Sequence, residues 1–129
     1  MLNAILVKES QGFTDGKRLL DELDRRSFPV VAALWRKLPE YDDERLVIVT
    51  PEADNGNLRA YMSIQEVLRA LPDTVLRLSD ILALGAHSRR FQELRREVEG
   101  VLQFVPPEKR PSLEGYASDN TAIYRWPAR

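Results

Sequence analysis

Two apolar runs on either side of a polar turn constrain this chain more than anything else in it. Val30-Val31-Ala32-Ala33-Leu34-Trp35 comes first, Pro39-Glu40-Tyr41-Asp42-Asp43-Glu44 is the turn, and Arg45-Leu46-Val47-Ile48-Val49-Thr50 follows. The second run is dense in β-branched residues, which suit a pleated, half-buried surface. The first run admits two readings. Pro29 could open a helix that is apolar nearly all round, or residues 30–38 form a strand. The strand is preferred, because Val31, Ala33 and Trp35 then share one face and the second run completes an antiparallel hairpin.

Three helices are expected around that hairpin. Thr14 resembles an N-cap with Asp15 in the first turn, and Leu19, Leu20 and Leu23 make one stripe, giving a helix over roughly 14–26 that Pro29 stops. Asn57 can cap a second helix running to about Leu71, with Leu58, Tyr61, Ile64 and Leu68 near helical spacing. The third, about 88–99, is dense in Arg and Glu, and Gly100 closes it. Residues 2–7 read as a short buried strand, for which a helix is also possible, 75–78 and 81–84 as strand-like or mixed apolar material, and 101–105 and 121–126 as strands. Residues 106–120 are rich in Pro, Gly, Ser and charge, which predicts a long loop or a loosely ordered hairpin. The expected fold is therefore α+β: a single compact domain with a mostly antiparallel sheet and about three helices packed on it.

Composition narrows the function more than the fold. The chain has one histidine, His87, and no cysteine, so a Cys nucleophile, disulfides, zinc knuckles and iron–sulfur sites are excluded. Formal net charge is −1, which gives no long-range pull toward nucleic acid or an anionic membrane. Its halves are balanced, at net −2 over residues 1–60 (9 basic, 11 acidic) and +1 over 61–129 (10 basic, 9 acidic). No apolar run approaches the ~20 residues a membrane helix needs, and residues 2–7 are too short and unflanked for a secretory signal. A cytoplasmic location without membrane attachment is the expectation.

The hairpin, the acidic loop and helix after it, and the ending Ala122-Ile123-Tyr124-Arg125 carry a resemblance. Together they resemble a group of small uncharacterised bacterial α+β proteins. The likeness spans most of the chain. It implies a bacterial α+β domain and carries over no activity, substrate or functional residue.

Four groups of residues merit attention as sites. His87, Ser88, Arg89 and Arg90 lie at the start of the third helix, where the dipole disfavours cations by about 0.3–1 kcal/mol each. Backbone N–H groups, a hydroxyl, an imidazole and two guanidiniums could together hold a phosphate. The plain reading is a solvated helix face, with Arg89 pairing Glu93 and Arg95 pairing Glu99. Glu52, Asp54 and Asp80 could offer oxygens to a hard cation, but no metal-loop spacing is present and Asp54-Asn55-Gly56 is simple turn chemistry. Ser88 or Ser79 with His87 and an Asp would be a triad, but no nucleophile elbow exists. Tyr116, Tyr124 and Trp126, near Arg110, Arg125 and Arg129, could stack bases or anchor a protein partner. No catalytic residue and no cofactor is assigned. The expectation is an interaction or accessory protein that binds a protein partner or itself, as a homodimer joined through an edge strand. The alternative is a phosphate or nucleic-acid binder, with phosphodiester chemistry included, built on residues 87–90.

Overall fold

A computed structural model describes residues 10–41, 43–109, 112–118 and 120–127. Among them are three α-helices, α1 (Gln11–Arg25), α2 (Leu58–Ala70) and α3 (Arg89–Glu99), and four strands. The strands are β1 (Ala32–Lys37), β2 (Glu44–Thr50), β3 (Ile81–Gly85) and β4 (Thr121–Arg125), in the order β3-β2-β1-β4. The hairpin forms as expected: β1 pairs antiparallel with β2, with Trp35 opposite Leu46 and Lys37 opposite Glu44.

The α+β reading holds, but the sheet is mixed. β1 also pairs antiparallel with β4, whereas β2 and β3 run parallel. The parallel pair follows from the chain order, since α2 lies between β2 and β3 and carries the chain back to the start of the sheet.

Side-chain alternation along the strands gives the sheet two apolar faces, and both are covered. Ala33, Trp35, Leu46, Ile48 and Ala83 pack with Leu19, Leu20 and Leu23 of α1 and with Ala60, Ile64 and Val67 of α2. Ala32, Leu34, Val47, Val49 and Ile123 pack on the other side with Phe91, Leu94 and Val98 of α3. Helices therefore sandwich the sheet, with α1 and α2 on one face and α3 on the opposite one.

Three local expectations are revised. α1 starts a turn earlier than Thr14, because the Ser10 hydroxyl accepts the Phe13 N–H at 3.3 Å, while Thr14 Oγ1 donates back to the Ser10 carbonyl. Residues 75–78 are not a strand: the Val75 N–H goes to Asp15 on α1. Residues 101–105 are turns in which Gln103 donates to Gly100 O and Val105 to Leu102 O. That segment joins neither edge of the sheet. Backbone bonds from Gly115 to Ile123 O and from Ile123 to Tyr116 O line β4, and the Tyr61 hydroxyl accepts the Ala83 N–H on β3 at 3.0 Å. Part of the outer edge of β4 is thus already paired inside the chain, which bears on the expected edge-strand homodimer at that edge alone. Residues 115–118 are the part of the long loop that pairs back on β4, with Ala117 bridged to Ala122. The expected strand at residues 2–7 lies outside the described residues.

One buried group works against the fold. Glu44 is 8% exposed, and both its carboxylate oxygens are buried without a hydrogen-bond partner. Burial pushes its carboxyl from 4.5 up to about 6. A raised folded-state value means the penalty is absent at low pH, grows as pH rises through that window and is full above it. Glu44→Gln should therefore stabilise the protein by about 1 kcal/mol at neutral pH. Urea unfolding of both proteins across pH measures this, and the gain should vanish below the window.

Candidate functional site

β2 leads into α2 on one face of the sheet and β3 leads into α3 on the other, so the connections diverge beyond their carboxyl ends. In open sheets this divergence is where ligand crevices form. Here the two loops are drawn together instead. Asp54, after β2, accepts the backbone N–H of His87, after β3, at 2.9 Å. Its second oxygen accepts Nδ1–H of the His87 ring at 2.8 Å. The imidazole and then the His87 backbone N–H hold the Asp54 carboxyl below its ordinary range. Gly85 makes the approach possible, because a Cβ there would stand 3.1 Å from Asp54 Cα and 3.2 Å from the Ala53 carbonyl. Asp54 and His87 thus clamp one loop onto the other. The His87 side chain is otherwise exposed, at 85%.

The remaining members of the phosphate group are engaged elsewhere. Ser88 Oγ donates to Gly85 O at 2.7 Å and accepts the Phe91 N–H at 3.1 Å, so it caps α3. The Arg90 guanidinium reaches Glu40 through two bonds, at 3.0 and 3.2 Å. Arg89 is exposed and lies 3.6 Å from Glu93, and Arg95 pairs with Glu99 at 2.9 Å. The four residues share one helix start, but each side chain turns to a different partner.

The acidic candidates are split between the two ends of the sheet. Glu52 and Asp54 follow β2, whereas Asp80 precedes β3, and the two strands are parallel. The five residues of β3 put roughly 15 Å between them. Asp80 is spent on the Arg77 N–H at 2.9 Å. Among the described residues no three His, Asp or Glu side chains gather to hold a metal. Ser79 is likewise at the far end of β3 from His87.

The C-terminal aromatics are mostly inside. Trp126 is 8% exposed, meets Phe91 edge-on at 6.0 Å and donates to Glu99 at 2.9 Å. Tyr124 stacks on Phe13 at 4.4 Å, donates to the Phe13 carbonyl and accepts the Trp35 Nε1–H. Arg125 forms a two-pronged pair with Asp24. Tyr116 alone is well exposed, and Arg110 and Arg129 lie outside the described residues.

A pair of exposed apolar side chains lies on α2. Ala60, Ile64, Val67 and Leu68 are its buried face, so at 100° per residue positions 58, 62, 65 and 69 point away from the sheet. Two of these are large and apolar, Leu58 at 73% exposed and Met62 at 64%. With half-buried Tyr61 and Leu78 they line an open groove rimmed by Glu66 and Arg69. The expected apolar stripe placed Leu58 among the core residues and overlooked Met62. The signal was present, since the true core positions leave both on the polar side of the helical wheel. No described helix is long and apolar enough to cross a membrane. No family model, curated protein or solved structure matches the chain.

Proposed function

We propose that this chain acts by docking to another protein surface rather than by catalysis, and that the outer face of α2 is where it docks. The observation that carries the reading is the pairing of Leu58 and Met62 on the solvent side of a helix whose core side is already filled. Exposed apolar side chains grouped beside a groove mark interaction sites, whereas scattered ones need no explanation. Met suits such a surface because its flexible thioether adapts to a partner's shape. The reading extends to a bacterial cytoplasm, in keeping with the cysteine-free sequence and the resemblance to small bacterial proteins. A phosphate site at the start of α3 fits less well, because Ser88 and Arg90 already have partners within the chain.

A photoreactive phenylalanine analogue placed at Met62 tests the docking reading inside the cells that make the protein. Adducts to a partner or to a second copy should form there, and far fewer should form from the exposed Gln92 on α3. Equal and low yields from both positions would remove the claim for α2.

A further inference from the structure

The groove on α2 is matched by a projection elsewhere on the same molecule. Phe104 is 89% exposed, more than any other large apolar side chain described. It sits on the turn after α3, held by the Val105 N–H to Leu102 O bond at 2.9 Å and followed by Pro106 and Pro107. Each proline fixes its own φ, and Pro106 restricts Val105, so the chain leaving the turn is stiff. Leu102 packs on the α3 side of the sheet, whereas the groove belongs to the α1 and α2 layer. Projection and groove do not meet within one chain.

We propose that Phe104 of one copy seats in the α2 groove of a second copy, between Leu58, Tyr61, Met62 and Leu78. This rests on the α2 docking reading and names its occupant. Charge complementarity supports the choice. The groove is rimmed by Glu66 and Arg69, one acidic and one basic. Glu108 and Lys109, again one of each sign, follow the projection and are exposed. Among the described residues Arg69, Glu108 and Lys109 form no ion pair, and Glu66 has only a 3.9 Å approach to Arg26. Each rim charge therefore has an opposite partner to offer when the two surfaces meet. Strand addition is the competing route to self-association; it is hindered at β4 by the backbone bonds already lining that strand, and at β3 the Tyr61 hydroxyl already takes the Ala83 N–H. Because the two surfaces differ, the contact is head-to-tail and extends past a pair into a ring or a chain.

Sedimentation velocity over about 1 μM to about 1 mM tests this. The unmodified chain should associate beyond the dimer as concentration rises. Phe104→Asp and Met62→Asp, both at exposed positions, should keep their circular dichroism and associate roughly tenfold or more weakly. An equimolar mixture of the two variants should form one-to-one dimers and nothing larger, since it holds one intact projection and one intact groove. A chain that stays monomeric throughout, or a mixture that does, overturns the proposal. If that happens while position 62 still crosslinks to a different protein, the self-association fails and the docking reading stands. Without such crosslinks both fall.

Discussion

Asp15→Ala should lower stability by about 3 kcal/mol, the scale seen when one partner of a buried charged pair is removed. Asp15 is fully buried on α1 and is the meeting point of three donors. The Val75 N–H reaches it at 2.8 Å, Gln11 Nε2 at 2.7 Å and Arg18 at 3.0 Å. Arg18 also donates to the Pro72 carbonyl, so this one carboxylate ties α1 to the segment linking α2 and β3. Burial alone would raise its carboxyl, but the bonds from Val75, Gln11 and Arg18 outweigh burial and hold it below 3.8. The sign follows from linkage. With the folded value depressed, the contribution is full above the ordinary carboxyl range and is lost as pH falls below it. Thermal unfolding at neutral pH should show a fall of roughly 10 °C in Asp15→Ala. Asp15→Asn keeps an acceptor oxygen and should lose about half as much. A fall under 1 kcal/mol in both variants would mean that the α1 attachment lies elsewhere.

Gly16→Ala should destabilise by about 2 kcal/mol, although alanine is the better helix former by about 1 kcal/mol. The reason is Tyr124. A Cβ at residue 16 would press on its hydroxyl and come within 2.9 Å of its Cζ. That hydroxyl cannot simply move away, because it donates to Phe13 O at 2.6 Å and accepts from Trp35 Nε1 at 2.9 Å. Glycine here lets α1 rest directly on β4. A cycle with Tyr124→Phe separates crowding from propensity. Removing the hydroxyl costs its own bonds but relieves the alanine, so the double variant should lose at least about 1 kcal/mol less than the sum of the singles. Additive losses, or a stabilising alanine, would contradict the packing described.

Local features were legible in the sequence, and features that depend on distant neighbours were not. The hairpin could be read from residues 30–50, because its partners adjoin and its turn is polar. The three helices were legible from their spacing, with ends displaced where a cap lay one turn away, as Ser10 does. The parallel pairing of β2 with β3 went unread even though strand, helix and strand follow in order, because β3 has only five residues and its partner is fixed by a crossover rather than a turn. Residues 101–105 look apolar enough for a strand, yet strand formation needs a free edge, which no local pattern reports. Asp15 looked like a first-turn carboxylate serving the helix dipole, and the earlier start of α1 turned it into a buried anchor.

Site reading followed the same division. The sequence could place His87, Ser88, Arg89 and Arg90 on one helix start, but Asp54 and Glu40, which engage two of them, come from 33 and 50 residues away. Trp126 looked available to a partner because it sits near the end of the chain, whereas Tyr124, though a partner candidate, was more simply a core residue; β4 lies beside β1 and both side chains are enclosed by α1, α3 and their neighbours. Leu58 and Met62 were the reverse case. They were unremarkable as letters, and they stand out only once the buried face of α2 is known.

The central claim is that the outer face of α2 is covered when the protein is at work. Met62 reports on this directly, since an exposed thioether oxidises readily and a covered one does not. Hydroxyl-radical footprinting should find Met62 oxidised quickly in dilute purified protein and severalfold more slowly in a concentrated extract of the cells that make it, with Leu58→Asp abolishing the protection. Equal oxidation in both settings would contradict the account.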